Sequence, residues 1–178
     1  MSYTALQIAN AFLDRAKKDN KPLTNMKLQK LLYFAQGHSY GLRNKRLIED
    51  DCQAWQYGPV YPTVYRAFSR FGAGPITSLA IDETDIDWMF SDDPSAQPPV
   101  AATPKNKDVN SFLDAVWKAY KDTSAVRLSE MSHVSNGPWA TAWKAGVRGA
   151  VINGDEIAKY FKKANAAAAA KKKDAAGA

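Results

Sequence analysis

Apolar positions recur at helical spacing along most of this chain. Ala5, Ile8, Ala9, Phe12, Leu13 and Ala16 form one stripe, which Ser2 or Thr4 can cap. The stripe stops at Lys17-Lys18-Asp19-Asn20, and Pro22 prevents easy continuation. A second helix is predicted from Thr24 as N-cap, with Leu23 and Leu28 placed to form a hydrophobic staple. Its buried stripe is Leu28, Leu31, Leu32 and Ala35, widened by Met26 and Tyr33. Lys27 and Lys30 are assigned to its other faces, and Gly41 suits its C-terminal cap.

Residues 43–50 read as a turn leading into a short extended piece. Residues 52–65, CQAWQYGPVYPTVY, then run for 14 positions without a charge and carry four aromatics, Trp55, Tyr57, Tyr61 and Tyr65. Gly58-Pro59 marks a turn there, and a helix is predicted after Pro59 or at Pro62, ending at Gly72 and Gly74. Residues 76–90 mix β-branched and acidic side chains and leave their element undecided. Residues 91–107 hold four of the nine prolines and read as a loop. The strongest helical stripe follows: Val109, Phe112, Leu113, Val116, Trp117 and Tyr120. A short helix is expected around 124–132. Another is expected to open at Pro138, with Trp139 and Trp143 on one face and its end at Gly146. Residues 147–153 read as a short extended return, before a last helix capped by Asn153 or Asp155. The pattern describes a mainly α protein, a single helical domain over residues 1–163 with one or two short strand pairs. Residues 164–178 are a low-complexity Ala/Lys tail expected to be frayed, transiently helical or disordered.

Composition narrows the function classes. A 178-residue chain with 46% hydrophobic and 24% charged residues is that of a globular domain. No uncharged apolar run reaches the ~18 residues a membrane span needs, and the N-terminus does not read as a signal peptide. One cysteine excludes an intramolecular disulfide, and the expected compartment is the reducing cytoplasm. The net charge of +6 suggests nucleic acid, but its distribution argues otherwise. Residues 159–178 alone carry +5, leaving +1 for the body. Phosphate binding needs Lys and Arg clustered on one surface.

Candidate chemistry is sparse. No phosphate-cradling glycine loop, nucleophile elbow or HExxH motif is present. Asp85/Asp87 and Asp92/Asp93 sit in a proline-flanked acidic stretch and read as a solvated loop. Asp50 and Asp51 would raise the Cys52 thiol pKa, so a buried structural cysteine is the better reading. His38 reads as a packing or capping residue. His133 precedes a turn and Trp139, but only Ser132, Ser135 and Glu130 stand near it in sequence. Two histidines 95 positions apart offer little to a metal. No catalytic activity and no cofactor are expected. The uncharged 52–65 stretch fits either a core or an interface. Trp55 and Gly58-Pro59 favour a buried turn locking two helices. The tyrosines suit both roles, with rings inside and hydroxyls at a rim.

Three segments together carry a family resemblance. They are LTNMKLQKLLYFAQG at residues 23–37, AWQYGPVYPTVY at 54–65, and LSEMSH at 128–133 followed by Gly137-Pro138-Trp139. In this order they resemble the Panacea antitoxin-domain family, phage-associated proteins also described as GepA-like or SocA-like, over roughly residues 3–162. The resemblance implies a mainly helical domain that is the neutralising half of a toxin–antitoxin pair, in a family matched with many unrelated toxins and without known catalytic residues. Some relatives carry an added DNA-binding module, for which no room is expected before residue 3. The motif positions Lys27, Lys30, Tyr33, Trp55, Tyr57, Gly58, Pro59, Val60, Tyr61, Tyr65, His133, Pro138 and Trp139 become candidate partner-binding residues. The expected partner is a toxin protein, held by direct stable binding. The acidic segment 82–93 and the 91–107 loop are expected to supply partner-specific contacts. The alternative is a nucleic-acid-binding regulator using Lys17, Lys18, Lys21, Lys27, Lys30, Arg43, Lys45, Arg46 and the lysine tail.

Overall fold

The computed structural model describes residues 2–82, 84–144, 147 and 149–176. Helix α1 (Ala5–Lys18) starts at a capping box. Thr4 Oγ1 accepts from the Gln7 N–H while Gln7 Oε1 accepts from the Thr4 N–H. Helix α2 (Asn25–His38) starts at Thr24, whose side chain accepts from the Lys27 N–H. Every residue of α2 from Leu28 to Gly37 is buried, so it is the central helix and not an amphipathic surface one. Around it pack α1, α3 (Pro62–Phe68), α4 (Lys107–Tyr120), α5 (Ala125–Ser132) and α7 (Gly154–Ala176). Helix α6 (Pro138–Ala142) opens at the expected proline. The predicted end of this piece at Gly146 lies outside the described residues.

The sheet is small. Strand β1 (Gln53–Trp55) pairs antiparallel with β2 (Gly58–Val60) on one side and β3 (Ala150–Val151) on the other. A hairpin this short cannot hold itself in water, and buried side-chain amides hold it and the other irregular segments. Gln36 Oε1 accepts from the Leu47 and Ile48 N–H groups at 3.0 and 2.8 Å, and its Nε2 donates to the Ile48 carbonyl. Asn10 accepts from the Ala80 N–H and donates to the Ala80 and Ala101 carbonyls, closing the base of the long 81–100 excursion. Within that excursion residues 87–90 form a 3₁₀ turn.

One expectation changes. Gly41 does not cap α2. The helix widens into a π-helical turn (Ser39–Arg43), and the left-handed residue that ends it is Asn44, φ 52°. The reason is α7, which crosses this turn so closely that position 41 faces the Phe161 carbonyl. The Ala/Lys segment continues α7 as helix to Ala176, with every side chain from 166 to 171 exposed. The packed part of α7 reaches Asn165, whose Oδ1 lies 3.1 Å from His38 Nδ1. Burial lowers the pKa of His38, and its Nε2 lies 2.7 Å from the Tyr120 hydroxyl, a packing role as expected.

Gly37 is the point of closest approach between α2 and α7, because a Cβ there would overlap the Phe161 ring. Gly37→Ala is therefore expected to destabilise the protein by about 1–3 kcal/mol, although alanine favours helix. Thermal melting checks it, with Gly37→Ala/Phe161→Leu as the relieving double variant. Equal melting of Gly37→Ala and wild type would contradict the packing described.

Candidate functional site

Three helices, α2, α5 and α6, converge on the tip of the β1–β2 hairpin. The two-residue loop is Gln56-Tyr57, and Gly58-Pro59 begin β2 instead of making the turn. Pro59 is tolerated because β2 is an edge strand. The carbonyls around the loop accept from side chains of the helical shell. Trp139 Nε1 donates to the Trp55 carbonyl at 2.9 Å, and Ser129 Oγ donates to Tyr57 O at 2.9 Å. Lys30 Nζ donates to Pro59 O at 3.1 Å. His133 places Nδ1 against the Ser129 carbonyl and Nε2 3.4 Å from the Gln56 carbonyl, with its ring edge-on to Trp139. Pro138 is buried at the start of α6 and sets the position of Trp139.

Gly58 lets Lys30 in. Its φ is +104°, a conformation side chains other than glycine rarely adopt. A Cβ there would stand 2.8 Å from both Lys30 Nζ and Ser132 Oγ. On the other side of the hairpin, Gln29 Oε1 accepts from the Tyr61 N–H at 2.8 Å and its Nε2 donates to Asn25 Oδ1. Asn25 in turn donates to the Tyr65 carbonyl. These bonds fasten α2, β2 and α3 together along one line.

The face so built encloses a groove of about 850 Å³. Asn25, Met26, Gln29 and Lys30 of α2 line it, with Trp55, Gln56, Tyr57 and Val60 of the hairpin and Tyr65, Trp143, Val147 and Gly149 around the rim. Tyr57 and Tyr65 are 69% and 41% exposed, and Trp55 stands edge-on to Tyr65 at 4.9 Å. Among the described lining residues Lys30 is the one charged group.

The candidate residues therefore divide. Tyr57 and Tyr65 are open to solvent at the groove, and Trp55 is half-buried there. The expectation of a buried Trp55 is thus corrected. Its indole lies in the groove wall and donates to Gln53, while Trp139 and Trp117 are the tryptophans that enter the core. Tyr33 and Tyr61 are core residues, beside the buried Cys52. The assignment of Lys27 and Lys30 to outer faces is corrected as well. Lys30 is 1% exposed, and Lys27 is half-buried with Nζ on the Lys121 carbonyl. The hairpin and α5 cover Lys30 because its ammonium satisfies an otherwise unpaired carbonyl of an edge strand. Charge alone suggests a solvated side chain, so periodicity misses it. It also misses Asn25, Gln29 and Gln53. The one sequence signal, for Asn25 and Gln29 but not for Gln53, is Asn25-x3-Gln29-Lys30, which puts three polar groups on the hairpin side of an otherwise apolar helix.

Four of the basic residues invoked for nucleic acid are engaged within the protein itself. Lys21 pairs with Asp122, Arg46 with Asp51 and the Glu49 carbonyl, and Lys27 and Lys30 bond backbone carbonyls.

Electrostatics single out Lys30 and Cys52. Burial pushes the Lys30 ammonium down to about 8 and the Cys52 thiol up to about 12. Burial also raises Tyr33 and Tyr61. The folded protein releases the Lys30 proton near pH 8 and the unfolded chain near 10.5. In that window the unfolded state binds more protons, so stability rises with pH. Cys52 acts oppositely above its unfolded value of 9, where the unfolded thiol ionises and the buried one does not.

A family model described as Antitoxin SocA-like, Panacea domain, matches residues 28–140, which contain α2 from Leu28, the hairpin, α5 and Pro138-Trp139. Antitoxin SocA of Caulobacter vibrioides (strain NA1000 / CB15N) is 35% identical over 138 residues, covering 78% of this chain and 69% of that protein. The chain belongs to the Antitoxin SocA-like, Panacea domain family. No solved structure matches it.

Denaturant unfolding should show stability rising by about 1 kcal/mol from pH 8 to 9, given a limit of about 1.4 kcal/mol per pH unit for one proton, and levelling off above. Lys30→Met should abolish the rise, leaving only the decline above pH 9 that Cys52 and the tyrosines cause. A wild-type stability flat or falling between pH 8 and 9 would contradict a buried ammonium at position 30.

Proposed function

We propose that this chain is the antitoxin of a toxin–antitoxin pair and neutralises its toxin by a stable one-to-one complex formed at the hairpin groove. Family membership supports the role. The observation that carries the location is the groove itself. It concentrates exposed aromatic side chains on a rigid, side-chain-clamped support, and aromatics on such supports dominate binding energy at protein interfaces. The motif residues that converge there are proposed in two roles. Trp55, Tyr57 and Tyr65 contact the toxin, while Gly58, Pro59, Val60, His133, Pro138 and Trp139 set their positions. No helix among the described residues is long and apolar enough to cross a membrane.

A second surface accounts for partner specificity. In the 82–93 segment Ile86, Met89 and Phe90 are 49%, 63% and 78% exposed, interspersed with Asp82, Asp85, Asp87, Asp92 and Asp93. Such a loop, outside the clamped core and tethered through Asn10, can vary between toxins without altering the groove.

Titrating its toxin with purified protein tests the proposal. Residual toxin activity should fall linearly to zero near one equivalent, unaffected by chelator or added nucleotide. Tyr57→Ala, a change at an exposed side chain, should weaken the complex by more than tenfold, about 1.4 kcal/mol, at unchanged melting temperature. Complete inactivation at a small fraction of an equivalent, or loss of inhibition with EDTA, would contradict it.

A further inference from the structure

The two edges of the small sheet are finished differently. In the order β2-β1-β3, the edges are β2 and β3. On β2 the outward backbone groups are closed from within the protein. Pro59 has no N–H to offer, and its carbonyl takes the Lys30 ammonium. The N–H of Tyr61, which follows the strand, takes Gln29 Oε1.

On β3 the register decides which groups point outward. The Ile152 N–H donates to the Cys52 carbonyl at 2.8 Å, so these two residues are a hydrogen-bonded pair. Their neighbours Gln53 and Val151 are then a non-hydrogen-bonded pair. Both the N–H and the C=O of Val151 therefore point away from β1, and among the described residues no backbone group bonds to either. Val151 is 50% exposed. Ala150–Val151 has neither the proline nor the charge by which sheet edges are normally closed. The same edge borders the groove. Gln53 lines the groove while Ala54 beside it is buried, so Val151, opposite Gln53, stands on the groove face. Val147 and Gly149, just before β3, are part of the groove rim.

Resting on the antitoxin reading, we propose that the toxin adds an extended segment to the β3 edge, paired main chain to main chain with Val151. An outward N–H and C=O on one residue are matched by another strand, whereas a helix has spent its own backbone groups on internal bonds. The pairing sets every second side chain of the segment on the groove face of the sheet, the face on which Trp55 and Trp143 are displayed. Main-chain bonds then supply affinity, and the side chains on that face supply specificity. A second copy of this chain would bring only the two residues of its own β3, too short a ladder to hold two copies together.

Two variants of one residue test the pairing in the full chain. Val151→Pro deletes the outward N–H and leaves the N–H groups of Ala150 and Ile152, which face β1. Val151→Ala removes the side chain and keeps the N–H. Toxin affinity of the proline variant should lie about tenfold below that of the alanine variant, because one toxin carbonyl loses its donor, at equal melting temperature. Equal affinity of the two at equal melting would overturn the inference. Where Val151→Pro fails to fold, the wild-type amide decides. In isotope-labelled chain the Val151 N–H should exchange quickly when free and slowly in the toxin complex. Exchange in the complex at the free rate would overturn the inference. So would protection in the free chain that is lost on dilution, which would assign this edge to a second copy. Toxin titration with the wild-type chain reads the antitoxin role separately. A wild type that neutralises stoichiometrically with Val151 unprotected keeps that role and loses this inference. A chain that does not bind the toxin loses both.

Discussion

Side-chain donors to backbone carbonyls hold this fold where regular sheet would hold another. A three-residue hairpin has too few ladder bonds to persist, and the carbonyls at its tip would be left without partners. Trp139, Ser129, His133 and Lys30, from α6, α5, the α5 C-cap and α2, reach those carbonyls. Gln29 holds β2 at the Tyr61 N–H, as Gln36 and Asn10 hold the 47–48 and 80–101 segments. Losing one such partner leaves a buried polar group unsatisfied, at a cost of about 1–3 kcal/mol. That explains why polar residues occupy the centre of a buried helix.

The same constraint makes the groove. Once the hairpin is fixed from behind, its front face, with α2 and the start of α3, cannot collapse onto itself. Trp55, Tyr57 and Tyr65 stay displayed instead of folding inward. Lys30 belongs to both sides of this arrangement. Its ammonium holds the Pro59 carbonyl, and the desolvation it suffers lowers its pKa. Antitoxin action at this face is a proposal built on that geometry. Membership of the Antitoxin SocA-like, Panacea domain family is shown independently.

Much of the architecture is legible in the sequence because it follows from local rules. The six-residue stripe of α4, the caps at Thr4 and Thr24 and the proline starts of α3 and α6 all appear where spacing and capping chemistry place them. What is not legible depends on distant neighbours. Gly41 has the composition of a helix cap, but α7, more than a hundred residues later, turns that position into a crossing point. Lys30 has the charge of a surface residue, but an edge-strand carbonyl draws it inside. Trp55 has the bulk of a core residue, yet Trp139 takes the interior position behind it. The family motifs mark these residues by order along the chain without saying which way any of them points.

Hydrogen–deuterium exchange of the chain, free and in complex with its toxin, tests the central claim most directly, since it reads which backbone the partner covers. The account predicts that added protection on binding concentrates in residues 25–30 and 53–60, with a smaller increase in 82–93. Protection confined to 82–107, or to α7, with the hairpin exchanging as in the free protein, would contradict it.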